Sequence, residues 1–278
     1  MTVSAVDVAG NTASASVSYL VVQQLSGRSG TCDGYASGSV RDLIVPAGVT
    51  CVLEPGSTVS HDLKVETGGA LLADGATVGH DLRATGAAGF TLCGSSVGHD
   101  LVVSGATGSV LVGDTGAGCS AGNTVGHDLR VTGNSGSVDV GSNDVRHDLT
   151  VDSGEVDADG ITVGHDLRAT GVSGFTLCGS SVGHDLVVSG ATGSVLVGDT
   201  GAGCSAGNTV GHALRVTGNS GAVGVGDNSA RHDLVVTGNT PGGATINRNQ
   251  AGHDNVASGN SPQTGSGNTA KHTNTAPA

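Results

Sequence analysis

Short runs in which apolar and polar residues alternate, separated by glycine-rich turns, repeat along most of the chain. Within 124–143, for example, Leu-Arg-Val-Thr at 129–132 and Val-Asp-Val at 138–140 flank a Gly-Asn-Ser-Gly turn. Alternation with a period of two, in short pieces, predicts short β-strands with one buried side. Glycine every few residues, together with abundant valine and threonine, disfavours helix.

A His-Asp-Leu turn marks each repeat. Its histidines recur at nearly regular intervals, at His61, His80, His99, His127, His147, His165, His184, His212, His232 and His253. Arg41-Asp42-Leu43 is a variant copy at the leading end. A unit of this size buries its apolar side only by stacking on its neighbours, which is typical of solenoids.

The sequence therefore predicts an all-β fold, a single-stranded parallel β-helix (β-solenoid) of about ten coils of 18–20 residues. A right-handed winding is expected from the handedness of parallel crossovers. Residues 78–147 recur at 163–232 with eight differences in 70 positions. A fold that accepts the duplication of several coils at once is modular along one axis.

Composition narrows the classes of function. The chain has 50 glycines, two tyrosines, two phenylalanines and no tryptophan, with a net charge of −13. Without a basic patch or aromatic residues for base stacking, we expect no nucleic-acid partner. No apolar run reaches the roughly 18 residues that cross a membrane, so we expect no membrane insertion.

The six cysteines fall into three pairs of sequence neighbours, and the second and third pairs have the same spacing. No CxxC motif is present, so we predict the disulfides Cys32–Cys51, Cys93–Cys119 and Cys178–Cys204. Disulfides form in oxidising compartments, which predicts an extracellular or cell-surface location. The first residues do not form a signal peptide, and we therefore expect this chain to be a fragment of a secreted protein or to have a misassigned start.

The two ends differ from the repeats. Residues 1–24 contain two alternating strands around Gly10-Asn11, predicted to be linker strands or, by a resemblance described below, a remnant of an immunoglobulin-like β-sandwich. The solenoid is predicted over 30–254, with an N-terminal cap at 30–56. Residues 255–278 are rich in Asn, Ser, Gly, Thr and Pro, which predicts a disordered tail.

The His-Asp pairs are the only candidate site. In a solenoid, equivalent residues stack about 4.8 Å apart, so the histidines would form a ladder. One hypothesis is structural, with aspartate closing the turn by accepting backbone N–H bonds. The other is a linear array for Zn²⁺, Cu²⁺ or Ni²⁺, since imidazole suits these ions; no other cofactor is expected. The candidate metal ligands are His61, His80, His99, His127, His147, His165, His184, His212 and His232.

Catalysis is not expected. The candidate groups are spread evenly along the rod, and Ala213 even replaces the aspartate of one coil. No Ser/His/Asp set, phosphate-binding loop or HExxH motif occurs. Ice binding is a further alternative, because an outward Ser/Thr row at Thr85, Ser104 and Thr132 recurs along the rod. Arginines in the adjacent row, such as Arg83, would interrupt a flat threonine surface.

The segment Ala5–Ala15 resembles the last hairpin of bacterial immunoglobulin-like surface domains of the hyalin-repeat type. With the repeats after it, the chain resembles bacterial secreted proteins in which such a module precedes a right-handed β-helix. It is also similar in form to bactofilin-type solenoids, although the disulfides argue against that cytoplasmic polymer. The resemblance implies a non-enzymatic, extracellular structural or adhesive stalk. Its surface or matrix partner and its oligomeric state are left open.

Overall fold

The computed structural model describes residues 2–6, 8–9, 11–16, 21–113, 116, 118–199 and 201–277. Within these residues every regular element is a β-strand, and the strands from Val22 onward pair in parallel. The chain winds as a β-solenoid of about 12 turns, because one of its sheets holds 12 strands, each from a different turn. The predicted all-β solenoid is thereby confirmed, and it has more turns than predicted.

Each coil contributes one strand to each of three faces of the rod. The leucine face follows the His-Asp turn, and in most coils its strand begins with a buried leucine. Its strands are Ser29–Thr31, Asp42–Val45, Leu63–Val65, Leu82–Thr85, Leu101–Ser104, Leu129–Thr132, Leu149–Val151, Leu167–Thr170, Leu186–Ser189, Leu214–Thr217, Leu234–Thr237 and Asn255–Ser258.

The middle face comes next along each coil. Its strands are Val22–Leu25, Tyr35–Val40, Thr50–Leu53, Ala70–Asp74, Gly89–Cys93, Val110–Val112, Val138–Asp139, Glu155–Asp157, Gly174–Leu177, Val195–Val197, Val223–Gly226, Ala244–Asn247 and Gln263–Ser266.

The short face completes the coil with strands of two residues. They are Thr58–Val59, Thr77–Val78, Ser96–Val97, Thr124–Val125, Asp144–Val145, Thr162–Val163, Ser181–Val182, Thr209–Val210, Ser229–Ala230, Gln250–Ala251 and Thr269–Ala270. The last residues of Tyr35–Val40 turn the corner and join this face as well.

Equivalent residues of successive coils pair directly. Leu129 pairs with Leu101 on one side and with Leu149 on the other, so that identical side chains stack in the core. The register survives the longer coils, because Ser96 still pairs with Thr124 although a loop lengthens the coil between them. The described residues of this longer segment, such as Cys119, lie outside the strands, and the stack continues on either side of the segment.

All three predicted disulfides are present. Cys32–Cys51 joins the first coils, and Cys93–Cys119 and Cys178–Cys204 each attach a loop to the coil below it. No cysteine of the chain is free. The disulfides indicate an oxidising environment. Among the described residues, no helix is long and apolar enough to cross a membrane.

Buried asparagines form stacks at the two other corners of the rod. Between the middle and short faces, Asn208, Asn228, Asn249 and Asn268 are linked from side chain to side chain at 3.0 Å. Between the leucine and middle faces, Asn219 and Asn239 form a similar link at 2.8 Å. Each side-chain oxygen also accepts the backbone N–H of the preceding asparagine, so the turns are bonded internally where no water reaches.

The solenoid is longer at both ends than predicted. It begins with Val22–Leu25, and the two preceding strands, Thr2–Val6 and Thr12–Ser16, form an antiparallel hairpin. Where a disordered tail from 255 was expected, Asn255–Ser258, Gln263–Ser266 and Thr269–Ala270 add another coil. Composition misled the prediction because the inward positions of this coil hold small or polar residues, and Asn255 is fully buried. Residues 17–20 and 278 lie outside the described part.

Candidate functional site

The His-Asp turn forms the corner between the short face and the leucine face. In one coil, Val78 ends the short strand, His80 and Asp81 make the turn, and Leu82 starts the next strand. From His80 to His272, each histidine donates its backbone N–H to the backbone carbonyl of the histidine one coil earlier, at 2.9 to 3.1 Å. The backbone therefore sets the alignment of the side chains.

The histidine ladder consists of all eleven histidines of the chain. The nine predicted site residues all lie in it. Two further members extend it, at His253 and His272. His272 escaped the sequence search because its turn is Lys-His-Thr, and only its distance from His253 marks it as a member of the series.

The rings stack face to face. From His61 to His212 their centroids are 4.7 to 5.1 Å apart and their planes differ by only 1 to 6°. The side chains of these histidines remain 41 to 47% exposed. The ladder is thus an ordered row with one edge in solvent.

Each ring is held by a carboxylate of the preceding coil. From His61 to His212, Nδ1 lies 2.7 to 3.0 Å from the Oδ1 atom of that aspartate. The same oxygen accepts the backbone N–H of the residue after the histidine, at 2.9 to 3.4 Å. The aspartate therefore links two coils, whereas the structural hypothesis placed its bonds within its own turn.

Several arginines of the leucine face form ion pairs with the ladder aspartates. Arg83 and Arg168 donate to the second carboxylate oxygen of Asp81 and Asp166, two residues earlier in the same coil. These arginines stand beside the outward Ser/Thr row, so that row is bordered by ion pairs. Ice binding stays a prediction that no feature of this surface strengthens.

Ala213 creates a defect in the ladder. The aspartate that would hold His232 is missing, and the His232 ring is tilted by 27° relative to that of His212. Its Nδ1 instead lies 3.1 Å from Asp233 of its own coil. At this coil, the loss of the cross-coil carboxylate therefore coincides with a ring that leaves the common plane.

We expect Ala213→Asp to stabilise the rod by about 1 kcal/mol, because it returns a charge-assisted acceptor to His232 and to the next backbone N–H. Guanidinium unfolding followed by circular dichroism measures the change. Ala213→Asn, which supplies an oxygen without the charge, is the matched control and should recover only part of the gain. A variant no more stable than the parent would show that the carboxylate contributes nothing here.

Comparison with protein-family models, with curated proteins and with solved structures finds no match to this chain. The resemblance to hyalin-repeat proteins therefore rests on the sequence motif alone. The function of the rod has to be inferred from its own geometry.

The ladder carboxyls are easily ionised. Burial opposes their ionisation, but hydrogen bonds from neighbouring histidines and from the backbone N–H of the next coil outweigh burial. The pKa is below its ordinary value for Asp62, Asp81, Asp100, Asp148, Asp166, Asp185 and Asp233. The hydrogen bond to Asp128 raises the pKa of His147. The ladder thus favours the carboxylate form of the aspartates.

We expect the melting temperature to fall steeply only below about pH 4. A carboxyl with a lowered folded pKa stabilises the protein above its unfolded value of about 3.9, and this contribution is lost as the pH falls through the folded pKa. His147 acts with the opposite sign, since its contribution is present below about pH 6.5 and is lost as the pH rises through its folded pKa. Thermal unfolding between about pH 2.5 and 8 tests this, and a constant melting temperature across the acid range would contradict it.

Metal-ligand atoms come together along the whole ladder. Successive His-Asp-His groups, such as His80, Asp81 and His99, place three potential ligand atoms within 4.8 Å of one another. All the ring hydrogen bonds described use Nδ1, which faces the carboxylates. A metal ion can therefore reach these rings at Nε2 without breaking a contact between coils.

Proposed function

We propose that the chain is a non-enzymatic, extracellular rod that serves as a stalk, spacer or adhesive surface of a bacterial surface or secreted protein. The observation that carries this proposal is the unbroken register of the stack over about 12 turns. At about 4.8 Å per turn, this gives a rod about 55 Å long whose length depends only on the number of coils.

The surface supports the same proposal. The grooves found among the described residues are open depressions along the outer faces, such as the one lined by Asp62, Lys64 and Arg83. An enzyme would normally concentrate its reactive groups in one concave pocket. Here the polar groups recur once per coil, as a repeated structural element does.

The duplication offers a direct test. Deleting residues 148–232 removes one full period of the duplication, joins His147 to Asp233 in phase, and removes both Cys178 and Cys204. We expect the shortened chain to fold and its particle length, measured by small-angle X-ray scattering, to decrease by about 19 Å for four coils.

The functional measurement compares the two lengths on a cell surface. With both chains fused at the C-terminus to the same surface anchor, a spacer should place an N-terminal epitope closer to the cell surface by the lost length, while an adhesive rod should bind matrix-coated surfaces in proportion to its coils. Turnover of a polysaccharide or peptide panel by the purified chain would contradict the proposal.

A further inference from the structure

The outer edge of the histidine ladder is a row of nitrogen atoms with free lone pairs. Each Nδ1 from His61 to His212 faces a carboxylate, so in the neutral ring the proton lies on Nδ1 and Nε2 is an acceptor. A carboxylate behind an imidazole is the support that metal-binding histidines usually have. Glycine precedes His80, His99 and His127, so no side chain at that position covers these rings.

The carboxylate side of the rings is already occupied. Oδ1 of Asp81 accepts both the ring N–H of His99 and the backbone N–H of Asp100, and Oδ2 accepts from Arg83. An ion on this side would have to displace the hydrogen bonds that join the coils. An ion on the Nε2 side displaces only solvent.

Neighbouring rings of one chain cannot share an ion in this arrangement. Because the rings are parallel with centroids 4.7 to 5.1 Å apart, their Nε2 atoms are separated by a similar distance and their lone pairs point the same way. Two nitrogens on one tetrahedral Zn²⁺ lie about 3.3 Å apart with converging lone pairs. An ion bound to one Nε2 therefore keeps open coordination positions that face away from the rod.

We propose that divalent transition-metal ions, above all Zn²⁺, bind along the row of Nε2 atoms. These ions bridge the row to the same row of a second copy of the chain. A two-fold axis brings two identical ladders together with the same period, so one matched contact repeats along the interface. The ladder lies at a corner of the rod, which lets two rows meet edge to edge.

Charge and multiplicity favour this occupant. The chain has a net charge of −13 with neutral histidines, so two copies repel each other until cations lie between them. One imidazole holds an ion weakly, but a series of bridges in parallel acts as a multivalent interaction. Arg146, Arg231 and Lys271 precede their histidines and place positive charge beside the row, so we expect the ions to bind at the other coils.

The test uses the full chain with its disulfides intact and ZnCl₂ as the probe near neutral pH. Calorimetry should show several ions bound per chain, and sedimentation velocity should show the mass doubling and returning to that of the monomer with a chelator. The test variant carries His99→Asn, His127→Asn, His165→Asn and His184→Asn. Asparagine keeps an N–H that can donate to the carboxylate, but it has no imidazole nitrogen at the Nε2 position, and its amide oxygen is a poor ligand for Zn²⁺. Seven ladder histidines remain in this variant, so we expect about four fewer ions bound per chain and a dimer that needs at least tenfold more Zn²⁺ than the parent.

The matched control changes four exposed residues of the short face in the same part of the rod. It carries Thr124→Asn, Thr162→Asn, Ser181→Asn and Thr209→Asn and should dimerise like the parent. Zn²⁺ should also protect the histidines of the unmodified chain from diethyl pyrocarbonate, a measurement independent of how any variant folds. Binding without a change in mass, dimerisation of the histidine variant at the same Zn²⁺ concentration as the parent, or an equal effect of Mg²⁺, which imidazole binds poorly, would each overturn the proposal.

Discussion

Leu149→Ala should destabilise the rod by about 3 kcal/mol, among the largest effects of any single substitution. Leu149 is fully buried and lies between Leu129 and Leu167 of the adjacent coils. Truncation removes apolar contact with both neighbours and leaves a cavity that hydrogen-bonded coils on either side cannot close. Chemical unfolding followed by circular dichroism measures the loss.

Leu72→Ala is the matched control for this substitution. Leu72 lies on a strand of the middle face, points outward and is 43% exposed. Its truncation should change stability by no more than about 0.5 kcal/mol. Equal losses for the two variants would mean that the inward leucines do not form the core.

Asn228→Ala should cost about 3 kcal/mol, for a different reason. Its side chain donates to the Val197 carbonyl at 2.8 Å and to Asn249 at 3.0 Å, and it accepts from the Asn208 side chain and backbone. Removing one member of a buried network leaves the remaining polar groups without partners, which costs more than the bond itself contributes. Hydrogen exchange should show the loss of protection spreading to the coils of Asn208 and Asn249.

Thr209→Ala tests whether the effect belongs to the asparagine stack. Thr209 follows Asn208 directly but points outward on the short face. Its substitution should be nearly neutral. If Asn228→Ala were equally neutral, the prediction would be wrong, because water or a rearranged turn would then have to satisfy the partners of the lost amide.

The repeated His-Asp-Leu motif was sufficient to predict the fold. Leucine is inward and the turn is a corner, so the register of the coils and the place of the nine histidines follow from the motif. The loop cysteines were predictable because each loop adds one cysteine and the preceding coil supplies another. These features depend on spacing along the chain, which a sequence shows directly.

Other features depend on how one coil sits on the next. The Nδ1 atom of His80 lies 3.0 Å from the carboxylate of Asp62 in the preceding coil. It lies 3.5 Å from the carboxylate of Asp81, its neighbour in the sequence. Turn asparagines such as Asn228 are usually exposed, and only the stacking shows that they are buried. The same holds for Asn255, because a polar residue at this inward position led to the prediction of a disordered tail in place of the final coil.

The positions of the disulfides predict which end of the rod unfolds first. In a solenoid each coil contacts only its neighbours, so unfolding starts at the end where the last contact is weakest. The first coils are covalently joined by Cys32–Cys51, whereas the coils after Cys204 carry no such link. We therefore expect this chain, unfolded on its own, to lose the coils after Cys204 first, and Cys178–Cys204 to be the first covalent link between coils that unfolding reaches.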